Sequence, residues 1–135
     1  MKTKRVLRYY CDFCKKSGCS KHHMERHEEH CTLNPNRSCR MCNNYHASDA
    51  IKKAIAILPN PKDYVKHDSY DAMLSVATEA VWHDVEELLD HCPACMLSAV
   101  RQRGIPVHMA FDYGKACKEY WSEINEEKMQ QVGYC

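Results

Sequence analysis

The most specific chemical pattern in the chain is Cys11-x2-Cys14-x12-His27-x3-Cys31. Two cysteines separated by two residues can present both sulfurs from one tight turn. A histidine and a cysteine four positions apart on a helix point to the same side, about one turn on. The twelve-residue spacer lets turn and helix converge on a single tetrahedral ion, and three sulfurs with one imidazole suit zinc. His23 shares the helical face of His27 and Cys31, and His30 adjoins it, so either is a rival ligand. A second pattern is Cys39-Arg-Met-Cys42 with Cys92-Pro-Ala-Cys95, two Cys-x-x-Cys pairs 49 residues apart. They make an all-thiolate zinc site if the intervening helices return the chain to its start. His46 and His91 are the rival ligands there. A redox role fits less well, because no βαβ pattern surrounds either pair. Both sites carry four protein donors, the closed arrangement of structural zinc, so two Zn2+ are expected and no catalytic residue is assigned.

The elements that must position these ligands are short at first and helical later. Val6–Tyr10 reads as β-like, Cys11–Cys14 as a turn, and about Ser20 to Cys31 as a helix; Asn34-Pro-Asn36 then turns the chain. Ser48 can cap a helix ending before Pro59. The longest helix is expected over roughly Ser69–Asp90, with Leu74, Ala77, Val81, Val85 and Leu88 along one stripe, widened by Met73, Trp82 and Leu89. Pro93 suits a first helical turn, which places Cys92 and Cys95 at the start of a helix running to Arg103 and stopped by Gly104. The dipole of that helix favours thiolates at its N-terminus. A last helix, about Asp112–Gln131, carries Tyr113, Cys117, Tyr120 and Ile124 on one face, with Trp121 beside them. That face can serve a core or a homodimer. The fold class is therefore mainly α with small zinc-bound β and turn elements.

Composition agrees with a metal-held fold. Leu, Ile, Val and Phe total 22 of 135 residues, whereas there are ten cysteines and nine histidines. So few aliphatics make a weak core, which metal ligands can supplement. The basic start, Met1 to Tyr10, reaches no apolar stretch of signal-peptide length, and the longest aliphatic run is Ala54–Leu58. These features favour a reducing, cytoplasmic setting and argue against a disulfide scaffold or a membrane protein. Charge is segregated: residues 1–45 carry ten Lys/Arg against four Asp/Glu, and residues 46–135 nine against fourteen. This divides the chain into a basic zinc-finger lobe, 1–45, and an acidic helical lobe, 46–135, closed by the second zinc site.

Residues 9–31 resemble a C2H2 zinc finger in a variant whose last ligand is cysteine. Tyr9 matches the aromatic position two residues before the first ligand, and Met24 the apolar position three before the histidine. The family's large apolar residue four positions after the second cysteine is replaced by Gly18, which leaves Cys19 or His23 to fill that place. The resemblance implies that Ser20, His23 and Arg26 stand at the three base-reading positions of the helix. The overall layout is similar to small zinc-finger proteins of bacteriophages and prophages without assigned activity. That likeness implies a protein of the bacterial host's cytoplasm and names no substrate.

Three functions follow as expectations. The first is a nucleic-acid-binding or regulatory module, with Lys2, Lys4, Arg5, Arg8, Lys15, Lys16, Lys21, Arg37 and Arg40 meeting phosphates. Glu25, Glu28 and Glu29 on the same short helix oppose it. The second is a protein-interaction module, such as a phage-encoded inhibitor of a host protein, using acidic faces that carry Glu86, Glu87, Asp90, Glu119, Glu123, Glu126 and Glu127. The third is an HNH-like nuclease using Asn43, Asn44, His46, His83 and Asp84. It is disfavoured because His83 lies opposite the apolar stripe and no strand–His–strand–helix pattern is present. No small-molecule substrate and no membrane partner are expected.

Overall fold

The structure is a computed structural model that describes residues 1–43, 47–60 and 80–131. It begins with a small antiparallel hairpin, β1 (Tyr9–Tyr10) and β2 (Ser17–Gly18), with Tyr9 opposite Gly18 and Tyr10 opposite Ser17. Helix α1 (Lys21–His30) packs against both strands, so the ββα arrangement of a finger is present. The β-like start is shorter than its sequence implies, since Val6 and Leu7 are exposed outside the hairpin. Ser20 caps α1, its hydroxyl accepting from the His23 amide at 3.4 Å; such a cap satisfies one of the helix's unpaired first-turn donors.

The place left by Gly18 is filled, but not by Cys19 or His23, both of which are exposed. The Met24 side chain folds over it instead. Its Cε lies 3.9 Å from where a Cβ on Gly18 would stand, and Met24 is buried. An unbranched thioether reaches a gap that neither a short thiol nor a polar ring can fill.

Downstream, the described residues form α2 (Ala47–Ile57), α3 (residues 80–88), α4 (Pro93–Arg103), a short α5 (Val107–Ala110) and α6 (Tyr113–Gln131). Helix α2 starts one residue before Ser48, which therefore sits in its first turn rather than capping it. Ile51, Ala54 and Leu58 form its buried stripe, meeting Val85 and Leu89 of the α3 segment and Met96, Ala99 and Val100 of α4. Burying a side chain the size of Val or Ile contributes about 1.5–3 kcal/mol, so this small cluster is the main apolar core. The upstream part of the expected long helix, with Met73, Leu74 and Ala77, lies outside the described residues.

The apolar stripe differs in one place from its expected course. Leu88 is 39% exposed, whereas Leu89 is buried. Four-residue steps from Val81 lead through Val85 to Leu89, and the helical conformation ends at 88. Asp90 and His91 then both take left-handed backbone, with φ of 50° and 58°. For residues with a Cβ this costs roughly 1–2 kcal/mol each. It reverses the chain within two residues and delivers Cys92 to the start of α4. Pro93 occupies the first turn of α4, and Gly104 closes it with φ of 85°, the Ile105 amide reaching back to the Val100 carbonyl at 3.1 Å. Both termini match their sequence signals. No described helix is long and apolar enough to cross a membrane.

Ile51→Ala should lower the stability of the zinc-loaded protein by about 2–4 kcal/mol, because it leaves a cavity against α4. Leu88→Ala should change it by no more than about 0.5 kcal/mol, as for an exposed site. Thermal or denaturant unfolding in excess zinc measures both.

Candidate metal centres

The first centre is assembled from both ends of the finger. Cys11 and Cys14 flank a tight turn closed by the Cys11 amide donating to the Lys16 carbonyl at 2.9 Å. The Phe13 amide donates to Cys11 Sγ and the Lys16 amide to Cys14 Sγ, each at 3.4 Å. Backbone N–H groups aimed at sulfur stabilise the thiolate form. His27 projects from α1, and its Nε2 lies 3.2 Å from Cys14 Sγ. Cys31 caps the C-terminus of α1, with extended backbone at ψ 129°, so the last ligand leaves the helix just where its sulfur turns inward. The four donor atoms all lie within 4.8 Å of one another.

The second centre joins a turn to a helix. Cys39 and Cys42 lie in the turn after the finger, Cys92 is the N-cap of α4, and Cys95 is in its first turn. Cys39 Sγ is 3.7 Å from Cys92 Sγ, and Cys42 Sγ is 3.7 Å from Cys95 Sγ. A tetrahedral site with Zn–S of about 2.3 Å has sulfur–sulfur edges of about 3.8 Å, so these separations suit zinc closely. Tyr120 of α6 braces the turn, its hydroxyl donating to the Met41 carbonyl at 3.3 Å.

Protonation explains why the donor sets call for a cation. In the second centre, bonds from the Cys92 and Cys95 thiols hold Cys39 far below the usual thiol range. The same contacts, with Cys39 first among them, drive Cys95 far above that range, and the bond to Cys39 pushes Cys92 up to about 12. Four clustered sulfurs, three of them on buried cysteines, can therefore share only limited negative charge among themselves. A divalent ion at their centre removes that restriction and takes all four as thiolates. In the first centre burial pushes Cys31 up to about 11. Burial also acts to raise Cys14, but the Lys16 amide and the Cys11 and Cys31 thiols outweigh it and the net shift is downward. Burial, then the nearby Lys16 charge, lowers the pKa of His27. That favours the neutral imidazole a metal needs.

All eight sequence-derived ligands thus come together in two sets of four, and each set suits one zinc ion. The described rivals are otherwise engaged. His23 is exposed. His30 donates from Nδ1 to the Ser38 carbonyl at 2.8 Å. His91 is exposed, 3.9 Å from Glu86. His46 lies outside the described residues. The stretch around the ligands also holds roles that spacing alone does not disclose. Glu28 accepts from the Asp12 amide at 3.0 Å, tying α1 to the Cys11–Cys14 turn. Arg37 is buried, bonding to the carbonyls of His30 and Ala94 at 3.1 and 3.3 Å. An acid one residue past a ligand, and an arginine two residues before one, were the available signals.

Zinc-loaded protein should carry two zinc ions per chain by native mass spectrometry. Cys95→Ser and His27→Ala should each leave one, and a single ion in the unaltered chain would overturn the two-centre arrangement. Because binding displaces thiol protons, zinc should be lost as pH falls, and a strong chelator at neutral pH should reduce helical circular dichroism.

No protein-family model matches the chain, and neither a curated protein nor a solved structure is significantly similar to it.

Proposed function

We propose that this protein is a non-enzymatic, zinc-structured nucleic-acid-binding module whose basic N-terminal lobe meets phosphate. The observation that carries this reading is the division of charges on the finger. Its acids have partners on the same scaffold: Glu25 faces Lys21 at 4.0 Å, Glu28 accepts from the Asp12 amide, and Glu29 lies 3.9 Å from His30, although Glu25 and Glu29 are themselves exposed. Its cations reach solvent, with Lys15, Lys16, Lys21, Arg26 and Arg40 all exposed. Glu25 offsets part of the Lys21 charge, whereas Lys15, Lys16, Arg26 and Arg40 have no carboxylate within ion-pair distance among the described residues.

Two details of the expected contact set change. Arg37 is buried and bonded to main-chain carbonyls, so it is removed from the phosphate-facing residues. Ser20 uses a lone pair as the N-cap, leaving His23 and Arg26 as the exposed reading positions on α1. Closed four-donor zinc sites support a structural role for both metals, since no coordination position is left for an attacking water. His83 is exposed and 3.1 Å from Glu87, one turn away on the same helix.

A second reading has its own support in the acidic lobe. A cleft of about 290 Å³ beside α4 and α6 is lined by Glu86, Glu119 and Glu123 together with His91 and Tyr120. Three carboxylates around one cleft suit a basic protein surface.

Zinc-loaded protein should bind DNA or RNA at low salt, with log affinity falling linearly against log salt. Lys21→Ala with Arg26→Ala should lower that slope by about one per lost phosphate contact. No binding to either nucleic acid at low salt would overturn the proposal in favour of the protein-partner reading.

A further inference from the structure

A groove of about 410 Å³ runs along α1 and is lined by Lys16, His23, Arg26, His27, His30 and Arg40. Its floor is one helical stripe, because positions 23, 26, 27 and 30 recur at three- and four-residue steps. Its walls come from the two metal-binding turns. Lys16 follows Cys14 in the first, and Arg40 stands between Cys39 and Cys42 in the second.

We infer that this groove is a phosphate site built jointly by the two metal-binding turns, and that its occupant is the sugar–phosphate backbone of a nucleic acid. The inference rests on the nucleic-acid reading above and adds to it a place and a second contributor. Three observations carry it. Lys16, Arg26 and Arg40 converge on one concave surface. Among the described residues none of these three side chains has a hydrogen bond or ion pair of its own. No carboxylate lines the groove, although Glu29 lies 3.9 Å from His30 Nε2 and the charge of Glu28 acts on His27. Three unpaired cations facing one cavity repel each other, and that repulsion falls when a polyanion enters. The cavity volume also lies within the roughly 300–1,000 Å³ of typical ligand pockets, enough for more than a lone phosphate.

Arg40 makes the inference specific. It belongs to the turn of the second centre, outside the stretch that resembles a finger. A finger acting alone would not need it. The groove exists only if both turns hold their shape, so its affinity for phosphate depends on both zinc ions.

The test uses the full, zinc-loaded chain, with retention of two zinc ions checked for every variant. Fluorescence anisotropy measures binding of a short single-stranded and a duplex oligonucleotide to the unaltered protein, Lys16→Gln and Arg40→Gln. In parallel, arginine Nε–H NMR signals are followed during titration with each oligonucleotide and with inorganic pyrophosphate. Each variant should bind the oligonucleotide roughly threefold to tenfold more weakly, with a salt slope smaller by about one. The Arg26 and Arg40 signals should move together while that of Arg103, on the far lobe, stays still. Oligonucleotide binding that leaves both variants and both signals unchanged would overturn the groove and leave the nucleic-acid reading intact. Movement with pyrophosphate alone would overturn the nucleic-acid backbone as occupant in favour of a free phosphate compound. No movement with either ligand and no oligonucleotide binding would overturn both.

Discussion

The convergence of four cysteine sulfurs from residues 39–42 and 92–95 is the constraint on which the helical part of the molecule depends. Cys39, Cys92 and Cys95 are also members of the apolar core, beside Ile51, Val85 and Val100. Ligand and core are thus the same packing unit. Bare thiols there compete for a shared proton supply, whereas four thiolates around one divalent ion carry two negative charges in excess. Arg37 is suited to offset part of that excess. It is buried two residues before Cys39, and its guanidinium bonds to the carbonyl of Ala94, the residue next to Cys95. A buried charge without a partner is costly, and the carbonyls of His30 and Ala94 supply the partners this arginine needs in the interior.

Helix α4 carries this constraint to the rest of the chain. Its N-terminus supplies two ligands and its apolar face packs on α2. Its polar face holds the segment that leaves the finger: Ser98 donates to the Thr32 carbonyl at 2.7 Å, and Gln102 reaches the carbonyls of Thr32 and Asn34, each at 3.3 Å. Arg101 bonds to the Thr32 hydroxyl. The finger is therefore fastened through side-chain bonds to main-chain carbonyls after the end of α1, that of Asn34 also accepting from the Arg37 amide at 3.3 Å. Its last ligand, Cys31, lies next to Thr32, so the position of α4 bears on the geometry of the first centre as well as the second.

Much of this was legible in the sequence because metal ligation and helix termini obey local rules. The ligand spacings, Pro93 at the first turn and Gly104 at the C-terminus each need only a few neighbouring residues, and each stands where those rules put it. What the pattern did not disclose depends on residues distant in sequence or on rotation about one helix. Met24 covers the place vacant at Gly18 because the hairpin folds back onto α1. Arg37 has the composition of a surface cation but is drawn inward by two carbonyls. Leu88 and Leu89 are equally apolar, and only the turn at Asp90 and His91 decides which faces the core. The face of α6 that carries Tyr113, Cys117, Tyr120 and Ile124 is partly covered, with Trp121 46% exposed. Spacing marks that face without stating how deeply it is buried.

The unequal distribution of charge along the chain has a structural counterpart in the two buried clusters. In the finger the buried cluster is Cys11, Met24 and Cys31, so two of its three members are ligands. The cluster around α4 adds Ile51, Leu58, Val85, Leu89 and Val100 to its cysteines. At about 0.8 kcal/mol for each buried methylene, the second can retain packing that the first cannot, and the finger's shape depends more steeply on its ion. The basic residues sit on this more metal-dependent part. Lys16 is placed by the turn around Cys14, and Arg26 by a helix whose His27 is a ligand. Arg40 lies inside the second Cys-x-x-Cys turn. The acidic residues of α3 and α6 are set by helical packing. The positive surface is thus tied to the zinc turns directly, whereas the negative one is tied to them through the packing of the core that shares the second centre's cysteines.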